Sequence, residues 1–421
     1  MTVLRVEGMR EDTRSPEERA VLEAAEAQPV DLTPEHVLEL ARSQTGLDDF
    51  GATEFGGTAF TERLELLLGA VAGDDNVWNT HKAQFLDHCV KAAANRLRIQ
   101  HYRAAHPDAS QVVVDRPIDV IALPRSGSTH LENLLAADRR LRHLPVYLAA
   151  QPAPQPDEPI GADGVDPRWK RAAARWDAMR SNRIMAAMHE HSPDHACGEN
   201  ELQIPDFASY QWEWMAFVPG FRDHYLRTDQ TPHYLYMREV LKIIAHQLPG
   251  SERWMLKSNQ HSEQLGPLLA AYPDVQVVMI HRDPVATIQS LLTMRGLAHK
   301  ASRKQLDIDA HVTYWVDRIE RMLRRYVEDR HLVPAAQLTE VMFADIVSDD
   351  IKAACDVLRR AGLDVGDDTL ADIRSYMDAH PRGKAGRVAY DLEGDFGVTA
   401  GELRERFSFY TDEFGIEPET R

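Results

Sequence analysis

Hydrophobic residues in the first hundred positions recur at helical spacing. Thr33-Pro34-Glu35 has the form of a helix start: a capping hydroxyl, a proline whose missing N–H is not needed in the first turn, and an early acid. Val37, Leu38, Leu40 and Ala41 follow on one face, a second apolar run covers Leu64 to Val71, and a third runs from Phe85 to about Tyr102. The pattern changes at Pro117. Ile118 to Leu123 is a short apolar run suited to a strand, Pro124 to His130 reads as a turn, and Leu131 to Ala137 as a helix. The stretch from Gln151 to Pro159 is too rich in proline for anything but a loop. Helical runs are expected around Arg168 to Glu190 and Phe207 to Phe217.

A second strand–helix–strand pattern follows, with strands at Trp254 to Leu256 and Val275 to Ile280 around a helix at Glu263 to Ala271. Further helices are expected at Pro284 to Met294, Val312 to Val327, Ile351 to Arg360 and Ala400 to Tyr410, and a strand ending at Leu332-Val333-Pro334. These elements predict an α/β fold, a P-loop-like open parallel sheet with flanking helices, preceded by an N-terminal helical region. The expected division is a helical extension over 1–112 packed on a core spanning 113–421, whose C-terminal segment covers a ligand.

Composition narrows the chemistry. The chain has 421 residues, 48 Lys plus Arg against 66 Asp plus Glu, and a formal charge of −18. That balance excludes a protein that holds nucleic acid by coating its phosphates with cations, yet it leaves room for one local basic pocket. Cys89, Cys197 and Cys355 are too few and too widely spaced for a disulfide framework or a zinc pattern, which fits a reducing cytoplasm. The first twenty residues lack the apolar stretch of a signal peptide. No apolar run approaches the roughly 20 residues of a membrane span, so no integral membrane association is expected.

The turn after the first core strand, Pro124-Arg125-Ser126-Gly127-Ser128-Thr129-His130, can offer backbone N–H groups and hydroxyls to an anion, with Arg125 adding charge. It lacks the lysine of an ordinary nucleotide triphosphatase loop. Lys257 and Arg282 each follow a strand, where open α/β sheets bind ligands, and Ser290 lies eight residues beyond Arg282. Arg382-Gly383-Lys384 is a third basic group. Separately each reads as a solvated surface feature; together, in an acidic chain, they point to one anion pocket.

These motifs resemble those of the sulfotransferases that use 3′-phosphoadenosine 5′-phosphosulfate (PAPS) and release 3′,5′-bisphosphoadenosine (PAP), especially the bacterial branch with a PRSG(S/T)T loop. LPRSGSTHLENLL is similar to that family's 5′-phosphosulfate loop, HRDPVATIQS to its 3′-phosphate motif, and WMLKSNQH to its strand-end Lys-Ser/Thr element. The resemblance implies cofactor contacts from Arg125, Ser126, Gly127, Ser128, Thr129, Arg282 and Ser290, with Arg382 and Lys384 closing over the 3′-phosphate. It implies a role for Lys257 beside the transferring group. It implies transfer of a sulfuryl group to a hydroxyl of a small, hydrophobic or aromatic acceptor.

Where cytosolic members carry a histidine base, two residues after that lysine, this chain has Asn259. His261, Glu199 and Glu201 are therefore the open choices for the base. His189, His191 and His195 match no recognised zinc spacing, and no metal is expected. The aromatic run Tyr210, Trp212, Trp214, Phe217, Phe221 and Tyr225 fits either an acceptor pocket or a helix core. A homodimer is compatible with the sequence. The competing readings are an ATP-dependent small-molecule kinase and a non-catalytic binding protein on the same fold.

Overall fold

A computed structural model describes residues 3–6, 8–51, 59–181, 190–248, 250, 252–380 and 387–419. Five parallel strands form its centre: β2 (Ile118–Ala122), β3 (Leu141–His143), β4 (Arg253–Ser258), β5 (Gln276–His281) and β6 (Leu338–Met342), in the order β3-β4-β2-β5-β6. Two short strands, β1 (Val3–Arg5) and β7 (Arg387–Ala389), pair in parallel apart from this sheet. β2 lies in the middle, and the chain leaves it once toward β3 and later returns to add β4 and β5 on its two sides. The crevice at the carboxyl ends of β2, β4 and β5 is therefore the switch point of the sheet, where such folds bind ligands.

Both faces of the central strands are covered, so side chains alternate between two cores rather than between core and water. Ile118, Val120, Ala122, Met255, Val278 and Ile280 pack under the helices Ser128–Ala136 and Asp350–Arg360. Ile121, Leu256, Val277 and Met279 face the other way, against Thr231–Gln247, Pro284–Ser302 and Ile308–Asp329. Asp119 shares the face of Ile121, while Lys257 shares the face of Met255. That division governs the site.

The N-terminal helices Pro34–Thr45, Phe60–Ala72 and Asn79–Ala105 build another core, joined by Phe207, Trp212, Phe221 and Tyr225. Thr33 caps the first of them, accepting from the His36 N–H, and Gly46 closes it in the left-handed conformation. A buried charge cluster ties these helices to the rest. Asp206 accepts from Arg63 Nη2 at 2.9 Å and Arg96 Nη1 at 2.8 Å, and its other oxygen lies 2.6 Å from His233 Nδ1. Burial pushes the Asp206 carboxyl up, but the hydrogen bond with His233 and the Arg63 and Arg96 charges outweigh it and hold the carboxyl below its usual range.

Several expectations need correction. No strand ends at Pro334. Arg330–Leu332 is a 3-10 turn, Gln337 N–H donates to the Pro334 carbonyl at 2.7 Å, and the strand begins at Leu338. The expected helix over Phe207 to Phe217 is broken: Phe207 takes a left-handed φ of 54°, and only Gln211–Met215 is helical. Glu199–Asp206 is a 3-10 helix with Pro205 inside it. The run expected to Glu190 is helical over Pro167–Met179, and residues 182–189, including His189, lie outside the described residues. The final run splits into Ala400–Arg406 and Ser408–Phe414. The helix Thr231–Gln247 and strands β1, β3 and β7 had no counterpart among the expected elements.

Candidate active site

The loop after β2 turns sharply. Arg125 adopts φ 69° and Gly127 φ 83°, two left-handed residues on either side of Ser126. A Cβ on Gly127 would lie 2.8 Å from the Phe343 ring, so only glycine fits there. Gly127 then caps Ser128–Ala136, whose internal ladder begins with His130 and Leu131 donating to its carbonyl. The earlier N–H groups, at Ser128 and Thr129, head the helix on the side of the crevice. The Ser126 hydroxyl is turned back and donates to the Leu123 carbonyl at 2.6 Å. Only its backbone is left for a ligand, which corrects the expectation of a hydroxyl contact from Ser126.

A cavity of about 550 Å³ opens over this loop. Arg125, Gly127, Ser128, Thr129, Lys257, Asn259 and Arg282 line it together, so the structure gathers most of the expected anion ligands in one place. Ser290 stands just behind, accepting from Arg125 Nε at 3.0 Å and lying 2.9 Å from the Tyr390 hydroxyl. Arg282 donates to the Arg125 carbonyl at 2.6 Å and stacks 3.9 Å over the Phe343 ring. Its outer edge forms a bidentate pair with Glu419, at 2.6 and 2.8 Å. Arg382 and Lys384 lie outside the described residues.

Lys257 has a partner that sequence reading missed. Glu132, wholly buried on the first-loop helix, places an oxygen 3.9 Å from Lys257 Nζ, and among the described residues neither carboxylate oxygen accepts a hydrogen bond. Burial pushes its pKa up to about 7, with Lys257 acting in the opposite direction.

The three base candidates separate. Glu201 lines the cavity. Its Oε1 accepts from Gln211 Nε2 at 2.7 Å, Asn200 lies 3.4 Å from Gln211, and Asn200 Oδ1 accepts from Ser258 at 3.1 Å. That chain of contacts aims the carboxylate, and burial raises its pKa above the usual range. His261 and Glu199 are elsewhere. Both are fully buried on the opposite face of the sheet and neither lines the cavity, which corrects their nomination as bases. His261 Nε2 lies 2.7 Å from Glu199 Oε1 and its Nδ1 lies 2.7 Å from the Tyr234 hydroxyl. Asp119 completes the group 3.4 Å from His261 Nε2. Burial depresses His261, raises Glu199 to about 7 and raises Asp119 strongly. These three place potential metal-donor atoms within 4.8 Å of one another; His261 and Glu199 are bonded to each other, while neither Asp119 oxygen has a hydrogen-bond partner among the described residues. One signal for the cluster was available in sequence: Asp119 is the single charge inside an otherwise apolar strand.

His191 and His195 line the cavity mouth, both depressed to about 4 by burial. The aromatic run divides as well. Tyr210 and Trp214 face the cavity, whereas Trp212, Phe221 and Tyr225 fill the N-terminal core.

A basic crevice at the switch point of a parallel sheet, headed by a helix N-terminus, has the chemistry of an anion-binding site. The Sulfotransferase family model matches residues 117–367, and the chain belongs to that family. Sulfotransferase STF1 of Mycobacterium tuberculosis H37Rv is 25% identical, with a TM-score of 0.77 over 91% of this chain and 100% of its own. Sulfotransferase STF9 of Mycobacterium avium shares the fold at 23% identity, with a TM-score of 0.81 over 93% of this chain and 99% of its own. None of the curated proteins matches the sequence. Among the described residues no helix is long and apolar enough to cross a membrane.

Proposed function

We propose that this sulfotransferase uses PAPS and transfers its sulfuryl group to a hydroxyl of a small, hydrophobic or aromatic acceptor. The observation that carries the reading is the convergence of Arg125, Lys257 and Arg282 on one cavity of an acidic protein, with a glycine cradle between them. The donor set suits a molecule with two separate anionic ends. Arg125, Lys257, the Ser128 and Thr129 hydroxyls and the N–H groups of the loop would hold the 5′-phosphosulfate. Arg282 and Ser290 would hold the 3′-phosphate, with Arg382 and Lys384 closing over it.

PAPS supplies an activated sulfuryl group to the acceptor oxygen. The chain's task is to align the reactants, neutralise charge on the leaving side and take up one proton. Arg125 and Lys257 neutralise charge, and the loop N–H groups fix orientation without needing to reorganise. Glu201 is the base: its carboxylate is held by Gln211 at the cavity wall and accepts the acceptor's hydroxyl proton. Tyr210 and Trp214 flank the acceptor. The N-terminal helices, as an extension over 1–112 on a catalytic unit over 113–421, brace this aromatic wall. Three cysteines without disulfide bonds suit a reducing cytoplasm.

Calorimetric titration with PAP and with ATP tests the reading. Wild-type protein is expected to bind PAP and to prefer it to ATP, and R282A to weaken PAP by about 100-fold, the scale of a lost charge-assisted pair. A preference for ATP would point to the kinase, and no binding of either to a non-catalytic protein.

A further inference from the structure

Arg295 is a buried cation without a counter-charge. It lies in the helix Pro284–Ser302, five residues and so about 7.5 Å along the axis beyond Ser290. It is 6% exposed, and that remaining surface belongs to the same cavity, beside Trp214 and Met294. Its guanidinium sits 5.5 Å from the Trp214 ring and 5.7 Å from Trp315. Among the described residues no carboxylate pairs with it, and its buried Nε has no hydrogen-bond partner. Burial pulls its pKa down to about 10, with only Tyr314 acting in the opposite direction.

The carboxylates on adjoining elements are already committed. Glu213, next to Trp214, accepts from the Tyr314 hydroxyl at 2.8 Å and from Arg318 Nε at 3.1 Å. Glu201 is held by Gln211, and Asp74 pairs with Arg303 at 2.6 Å. The remaining neighbours are basic: His299, His81 and His311 are all depressed, with Arg295 contributing to each. Aromatic faces offset part of the cost of burying a guanidinium, but they accept few of its five N–H donors. A buried, unpaired arginine opening on a ligand cavity is matched by an anion from the ligand.

We propose that Arg295 anchors an acidic group of the acceptor. The substrate class is then a hydroxyl compound with an apolar or aromatic body and a carboxylate or phosphate remote from the reacting hydroxyl. This rests on the sulfuryl-transfer reading above, and it narrows the acceptor from any hydrophobic alcohol or phenol to an acidic one. Arg295 stands about 7.5 Å along the helix and about 140° around it from Ser290, so the two side chains leave the helix in different directions. The acid takes no part in bond making and sets orientation only, as a fork of N–H donors holds a planar or tetrahedral oxyanion.

The probes are 4-hydroxyphenylacetate, 3-(4-hydroxyphenyl)propionate and 4-(4-hydroxyphenyl)butyrate, each beside its methyl ester, and the matching (4-hydroxyphenyl)alkyl phosphates. Binding is measured by calorimetry on wild type, R295Q and R295K, with and without saturating PAP, and thermal unfolding confirms that each variant is folded. Wild type is expected to bind the best-fitting acid about 10- to 100-fold more tightly than its ester. R295Q abolishes that preference, R295K keeps part of it, and PAP affinity is the same in all three. Carboxylate and phosphate series report which oxyanion fits better. Equal binding of acid and ester by wild type, or a preference that survives R295Q, overturns the proposal. Should R295Q fail to fold, R295M decides in its place, since a preference that survives loss of the charge there also overturns it. A wild type that discriminates acid from ester through Arg295 yet ignores PAP keeps the anion site and removes the PAPS reading.

Discussion

Two groups of ionisable side chains stand back to back across the same strands and could hardly differ more. On one face, Lys257, Glu201, Arg125 and Arg282 open onto a cavity. On the other, Asp119, Glu199 and His261 are wholly buried, with His261 bonded to Glu199 and to Tyr234 and Asp119 3.4 Å from His261 Nε2. Both contain a raised carboxylate and both follow the same strand ends, β4 contributing Lys257 to one and leading into His261 in the other. A residue's chemistry therefore does not nominate the base here; the side of the sheet toward which its element turns it does. The inner cluster is built like an active site but has no ligand-accessible side, so its role is to join β2, β4 and the 3-10 helix Glu199–Asp206.

The largest expected effect would break this comparison if it failed. E201Q should lower kcat by about 10²- to 10⁴-fold, the range for losing a general base, while PAP affinity stays. In wild type, turnover should rise with pH through an acidic limb displaced above the usual carboxylate range, because a raised pKa keeps Glu201 protonated and idle at lower pH. H261N should do the opposite, losing stability and keeping turnover in the folded fraction. A folded H261N without turnover, beside an active E201Q, would reverse the assignment of the two faces.

A smaller effect sharpens the electrostatic contrast. Glu132 has a folded pKa raised from 4.5 to about 7, so it favours the fold when protonated. That contribution is whole below the unfolded pKa and is lost as pH rises through about 7. The shift corresponds to about 3 kcal/mol, so E132Q should gain roughly that much on wild type between pH 4 and pH 8, read by urea unfolding. No pH-dependent difference would mean that Lys257 keeps Glu132 ionised throughout. The smallest effect concerns Glu419, which is partly exposed: E419Q should tighten PAP a few-fold, since the ligand would no longer displace its carboxylate.

Legibility followed burial. β2 and β5 were readable because both their faces are covered, leaving runs that are apolar in their middles but for Asp119. β6 was misplaced because as an edge strand it is only half-buried and carries Glu340 in its middle, so Leu332-Val333 looked the more apolar segment. The turn after β2 was readable because a left-handed glycine between a strand and a helix is a local requirement. Ser126 was over-read, since nothing local says that its hydroxyl turns back onto Leu123. Arg295 and Glu132 escaped notice because their meaning lies in what surrounds them: a lone charge on an apolar helix marks a site only when its partner, or the lack of one, is known. The choice among three bases needed the pleat of β4 and the turn of the 3-10 helix, which emerge only from strand pairing.

The clamp of Glu419 on Arg282 has a consequence for ionic strength. An anion arriving at a bare arginine releases solvent and counter-ions, and added salt weakens its binding steeply. If PAPS binds as proposed, its phosphate replaces a carboxylate already in place, so salt screens the interaction that is lost as well as the one that is gained. The affinity of this acidic protein for a polyanion should therefore change less with salt than the count of basic groups in its cavity suggests, and removing the Glu419 charge should restore the steeper slope.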